Sequence, residues 1–190
     1  MGEPRSERGE GRWPRLRDVV VYAAAYVLLS RVGLLFAPAP AFVSAIWPPA
    51  GLTLAAALHL GRHAWMVIWL VAFLSGSLAQ IAAHVDWPVA AAVAAATASG
   101  STLRALLGAR FLRRAGGEQP SLTRVRSVVA LVLGAGLVAC LAPALIGVAA
   151  RRLAGLVDHT ERFDVALSWW LADVVGVVVA GPVLLLALEG

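Results

Sequence analysis

Along this chain, apolar runs of nearly membrane-spanning length alternate with short breaks that are polar or rich in glycine and proline. The runs are Val19 to Phe36, Pro48 to Leu60 (or from Ala41, if the prolines lie inside it), Ala64 to Ala83, Pro88 to Ala109, Val128 to Ala150 and Leu167 to Leu188. A helix crosses a bilayer with about 20 mostly apolar residues, and each run comes close to that. Helix-stopping residues punctuate the breaks: Gly61 in the second, and Gly116, Gly117 and Pro120 in the loop "RRAGGEQPSLTR". The pattern predicts an all-α fold, a polytopic integral membrane helix bundle with about six transmembrane helices.

Composition agrees. Of 190 residues, 60% are hydrophobic and 14% charged, whereas soluble domains run at about 45–50% apolar and about 25% charged. A globular core cannot hide that excess, so the lipid bilayer is the first partner. All sixteen basic residues are arginines and the net charge is +5, but the arginines form no continuous patch, so no nucleic acid partner is expected. Their placement carries information of another kind. Eleven lie in the N-terminal tail, the turn after Leu60 and the loop from Arg110 to Arg126, against three (Arg151, Arg152, Arg162) in the segments on the opposite side. The positive-inside rule then puts both termini in the cytoplasm and the chain in the cell inner (plasma) membrane. Residues 1–17 are expected to be a disordered cytoplasmic tail, and 18–190 an integral membrane domain, incomplete at its C-terminus if the chain is a fragment. An arginine-rich start, an apolar run and "APAPA" at 37–41 also resemble a cleavable signal peptide, but the run is long for one and Arg31 interrupts it.

Charges inside spans are costly and usually face protein or a water-filled cavity. Arg31, Arg104 and Asp173 are the candidates. Counted from the ends of their apolar runs, Arg31 and Asp173 sit at about the same depth near the outer rim, on the order of 8 Å below it at about 1.5 Å per residue. This suggests that the two pair or share a polar cavity; the alternative for Arg31 is snorkelling to the headgroups. In "SWWLADVVGVVVAGP", Trp169, Asp173, Gly176 and Ala180 share a helix face, with the two small residues admitting a close neighbour. Trp169 belongs either to an aromatic belt or to a site lined with Asp173. In the fourth run, Gly100, Arg104 and Gly108 mark a close-packing face, with snorkelling again the alternative for the arginine. Ser99, Ser101 and Thr102 are placed to bond back to their own helix, and Gln80 needs a partner.

Trp47, Pro48, Pro49 and Gly51 form the block "WPPAG". Proline is tolerated in a first helical turn, so the block either starts a helix at the interface or is an irregular segment that dips into the membrane. Such backbone survives there only where protein or water satisfies it. On the second reading, Arg31, Trp47, Pro48, Pro49, Gly51, Gln80, Trp169 and Asp173 are candidate ligand-binding or signal-sensing residues near one rim. No HExxH, CxxC, glycine-rich phosphate loop or GxSxG is present, the histidines are scattered, and Cys140 is alone. No catalytic residue, metal or cofactor is therefore expected.

The stretch "SAIWPPAGLTLAAALHLGRHAWMVIWLVAFL" at 44–74, then "STLRALLGARFLRR" at 101–114 and "WWLADVVGVVVAGPVLLL" at 169–186, in this order, resembles the membrane-associated sensor (MASE) domains, type one. The resemblance implies a bacterial sensory or signal-input domain, not an enzyme, that couples an unknown signal to a cytoplasmic output module in cis or in trans, such as a histidine kinase or a diguanylate cyclase. A homodimer is compatible with it. The chain counts fewer spans than the family usually has and carries no output module. A different class of function also suits six spans in 190 residues: the substrate-binding membrane subunit of a small-molecule importer.

Overall fold

The structure, a computed structural model, describes residues 14–36, 44–117 and 120–189. Most of the expected tail (residues 1–13), the "APAPA" stretch and Glu118 lie outside them. Eight α-helices follow in order: α1 (Leu16–Leu35), α2 (Pro49–His59), α3 (Ala64–Ala82), α4 (Trp87–Gly116), α5 (Val125–Val129), α6 (Leu141–Leu153), α7 (Arg162–Val175) and α8 (Gly181–Glu189). A π-helical segment, Ala130–Val138, joins α5 to α6, and another, Gly176–Ala180, joins α7 to α8. No strand occurs among the described residues. The all-α membrane bundle anticipated above is what the chain forms.

Among the described residues, five helical stretches are long and apolar enough to cross a membrane: Leu16–Leu35, Ala64–Ala82, Trp87–Gly116, Val125–Leu153 and Arg162–Ala187. The run anticipated as the second span is the exception. Helix α2 has 11 residues, or about 16 Å at 1.5 Å per residue, against a hydrocarbon core of about 30 Å. The non-helical stretch Ser44–Pro48, with a bend at Ala45, precedes it.

The lipid-like exterior and the packed interior are cleanly separated. Leu70, Leu74, Leu78, Leu145, Val179 and Val183 point outward and exposed, while every residue from Pro49 to Ala57 is buried. The 11-residue helix α2 is thus the bundle's axis, ringed by α1, α3, α4 and α7–α8. Alanine and glycine make this close ring possible: on α4 the inward face is Ala90, Ala94, Ala98, Ala105, Gly108 and Ala109. Where serine and threonine interrupt α4, their hydroxyls return to the helix, Ser99 Oγ to the Ala95 carbonyl at 2.8 Å and Thr102 Oγ1 to the Ala98 carbonyl at 2.8 Å. Ser99 also accepts from Trp69 Nε1 at 3.0 Å, tying α3 to α4.

The two π-helical segments lie against each other, with Gly136 facing Val178 and Val174. π turns are rare and concentrate at functional positions. One carbonyl of the first segment, Leu137, accepts a hydrogen bond from the Trp170 indole N–H at 2.9 Å. Trp170→Phe should keep the ring's packing and lose this bond, lowering stability by about 1 kcal/mol in a thermal unfolding experiment on detergent-solubilised protein. An unchanged melting temperature would show that the bond adds nothing.

Candidate functional site

Asp173 has no exposure and Arg104 is almost as deeply buried. Their side chains form an ion pair, Arg104 Nη1 to Asp173 Oδ2 at 2.6 Å. The second terminal nitrogen, Nη2, donates to Thr53 Oγ1 at 3.0 Å, and Thr53 donates its own hydroxyl proton to the Ala50 carbonyl at 2.9 Å. Because that proton is committed to Ala50, Thr53 faces the arginine as an acceptor. Three helices, α2, α4 and α7, are tied at one point. Tyr22 and Tyr26, one turn apart on α1 with ring centroids 6.0 Å apart, are buried in the bundle as well.

The neighbours of Arg104 explain how a guanidinium fits here. A Cβ on Gly100 would stand 2.8 Å from Pro143 Cα, and one on Gly108 would stand 3.0 Å from Leu54 and 3.1 Å from Ala135. Bare backbone one turn above and one turn below brings α4 against its neighbours and leaves the arginine side chain to run inward between them.

The "WPPAG" block starts a helix, α2, at Pro49, and the irregular stretch before it is packed against protein. Trp47 N–H donates to the Ala172 carbonyl at 3.0 Å, immediately before Asp173. Ser44 Oγ donates to the Gly33 carbonyl at 2.7 Å and accepts from the Ile46 N–H at 3.2 Å, while Ala45 N–H donates to the Phe36 carbonyl at 3.1 Å. The irregular stretch is stitched to α1 on one side and α7 on the other, which is how non-helical backbone is satisfied at membrane depth. Pro48 caps α2 and Pro49 is its first residue, so neither proline removes a hydrogen bond the helix needs. Gly51 then meets α7–α8 backbone to backbone: a Cβ there would lie 2.5 Å from Gly181 N and 2.7 Å from Gly176 O. Gly176 in turn faces the Trp47 carbonyl with no room for a side chain, and the Ala180 backbone lies against Gly51.

The pairing of Arg31 with Asp173 suggested by the sequence does not form; Asp173 pairs with Arg104. Arg31 lies on the exposed side of α1, along a shallow groove with Val20, Ala23, Ala24, Val27 and Leu28, while the buried stripe of that helix is Tyr22, Tyr26, Ser30 and Gly33. Depth counted from the ends of apolar runs misled for Asp173. Helix α7 starts at Arg162, before its apolar run, and α4 continues to Gly116, beyond its own. Arg104 thus sits well inside α4 and Asp173 well inside the continuous α7–α8 stretch, so they meet mid-bundle. Thr53 was not anticipated as a member of the centre. The available signal was Arg104 itself, framed by two glycines.

Two other expected site residues lie elsewhere. Trp169 packs its ring against Gly147 of α6, where a Cβ would stand 2.5 Å from the ring, and carries the Arg151 guanidinium over its face at 5.6 Å. Gln80 is in the last turn of α3, where its backbone carbonyl accepts from Ala83 and Val85. The structure therefore brings together Trp47, Pro48, Pro49, Gly51 and Asp173, and not Arg31, Gln80 or Trp169.

Thr53 belongs to the first of the motif blocks quoted above, Arg104 to the second and Asp173 to the third. The sequence profile of the MASE1 family, membrane-associated sensor domain type one, matches residues 19–190. The chain belongs to the MASE1 family. No curated protein and no solved structure matches it. MASE1 is a family of membrane sensor domains rather than of catalysts, and this MASE1 chain is a multi-pass membrane protein whose role is sensory input.

Proposed function

We propose that this MASE1 domain passes a signal from the extracytoplasmic side to a cytoplasmic output module, in cis or in trans, by changing how α2 and α7 pack around the Arg104–Asp173 pair. The observation that carries this reading is the pair itself, buried and tied through Thr53 to the helix that the "WPPAG" block begins. A buried ion pair is weak evidence for stability, since well-packed apolar residues often do as well; its best-attested use is to select one arrangement over another. Trp47, Pro48, Pro49, Gly51 and Asp173 are the residues through which a signal acts, because they form the junction between the irregular stretch and α7. A ligand shifts such an equilibrium only by binding its two states with different affinity. The arginine distribution supports cytoplasmic termini.

The test joins the domain to a diguanylate cyclase or histidine kinase reporter. Asp173→Asn and Arg104→Gln are expected to hold output at one signal-independent level while the protein remains in the membrane. A response like that of the unaltered domain in both variants would remove the pair from the mechanism. Orientation is checked separately in a Cys140→Ala background: His159→Cys should react with an impermeant maleimide on whole cells and Gly117→Cys only after lysis, and the reverse pattern would overturn the orientation.

A further inference from the structure

We infer that the α4–α5 hairpin is a binding site for the headgroups of anionic phospholipids, with Arg110, Arg114, Arg124 and Arg126 as its ligating residues. All four are exposed. Arg110 and Arg114 are one turn apart on α4, and Arg124 and Arg126 flank the start of α5, which packs on the end of α4: a Cβ on Gly116 would lie 3.0 Å from Ser127 Oγ and 2.7 Å from Pro120. These contacts hold the start of α5 against the end of α4, with an arginine pair on each. Their neighbour Arg113 marks the contrast. It turns inward and donates through Nη2 to the Ala57 carbonyl at 3.0 Å, capping the end of α2. The side chains of the other four make no ion pair or hydrogen bond among the described residues.

The surroundings choose the partner. Val125 opens the helical stretch Val125–Leu153, which is apolar enough to cross the bilayer, so Arg124 and Arg126 stand where hydrocarbon gives way to headgroups. Arg110 and Arg114 lie on the last two turns of α4, whose 30 residues make it about 45 Å long, well beyond the hydrocarbon core. The opposite end of the bundle is different in charge. Its basic groups, Arg31, Arg151, Arg152 and Arg162, are matched by the exposed acids Asp86, Asp158, Glu161 and Asp164. The α4–α5 hairpin carries one acid in its sequence, Glu118, which lies outside the described residues, against five arginines. Basic clusters at the surface attract anionic headgroups by an amount that multiplies affinity about fivefold per arginine, within a Debye length of about 10 Å at 0.1 M salt. The inference stands independently of the proposed signalling role and of which side the hairpin faces.

Cys140 is the chain's single thiol and is fully buried, so a thiol-reactive dye reports unfolding of the whole chain. In detergent micelles, phosphatidylglycerol is expected to raise the melting temperature, phosphatidylcholine to leave it unchanged, and 0.5 M salt to erase the difference. The variant with all four arginines replaced by glutamine should melt like the unaltered protein with phosphatidylcholine and lose the phosphatidylglycerol response. Replacement by lysine should retain the response, which separates loss of charge from loss of fold. Equal responses to the two lipids, or a phosphatidylglycerol response undiminished in the glutamine variant, would overturn the inference. So would stabilisation by polyglutamate in place of phosphatidylglycerol, which would mark the hairpin as a docking surface for an acidic protein.

Discussion

Asp173→Ala is expected to destabilise the domain by about 3–5 kcal/mol, because it leaves Arg104 charged and unpaired inside the bundle. Arg104→Ala should cost about as much for the converse reason, with the Asp173 carboxylate stranded where nothing else among the described residues donates to it. The double variant Arg104→Met with Asp173→Leu separates pairing from packing. Apolar residues of similar volume require no desolvation of charge, and such replacements are often neutral or stabilising; the double variant should recover most of what either single variant loses. Dye reaction at Cys140 during heating measures all three. If the double variant melts no higher than Asp173→Ala, the loss belongs to the shape of the site and not to its charges. If it is stable but gives no signal-dependent output, the pair serves selection between two packings, as proposed above.

Gly176→Val is the second large effect. A Cβ at this position would overlap the Trp47 carbonyl, and Ala50 Cβ lies 3.1 Å away. Trp47 cannot swing aside as a flexible side chain would: the obstructing atom is backbone, held in place by its own N–H bond to Ala172. Helix α7 must therefore move off α2, taking Asp173 away from Arg104. Overpacking of this kind costs about 1–3 kcal/mol where side chains yield, so a loss at or above the upper end is expected here, with the largest share of the variant failing to fold in the membrane. Gly76→Ala is the control. Its Cβ would meet nothing closer than 3.5 Å, from Ala94, and alanine in a helix interior is favoured over glycine by about 1 kcal/mol. It should be neutral or stabilising. A Gly176→Val protein that melts with the unaltered one would mean that α2 and α7 are not packed as described.

Much of the fold was legible in the sequence because a bilayer imposes a length and a polarity that can be counted. Alternating apolar runs and breaks gave the rough bounds of the helices, and Gly100 and Gly108, each four residues from Arg104 on α4, marked a close-packing face that the structure places against Pro143, Leu54 and Ala135. The candidate site was legible only in part. Asp173 and the "WPPAG" block stood out because each violates the local rule for a span, a charge in one case and two prolines in the other. The aspartate's partner did not. Arg31 and Arg104 are alike as residue types, both inside apolar runs, and the choice between them depends on helix rotation and on where α4 and α7 actually begin and end. Thr53 gave no warning, since a threonine in a helix usually bonds to its own backbone and this one does that and accepts from Arg104 as well.

What the chain alone determined, then, was its solvent: enough uninterrupted apolar length to require lipid, broken by residues that stop helices, with three blocks that together resemble one sensor family. Tertiary structure decided which polar groups meet. Burial of a charge is tolerable only where its counterion and its hydrogen-bond acceptors arrive from other helices, and those arrive according to interhelical distance, which Gly51, Gly100, Gly108 and Gly176 set by what they lack. Periodicity along one helix records which face turns inward; it holds no record of the neighbour that waits there.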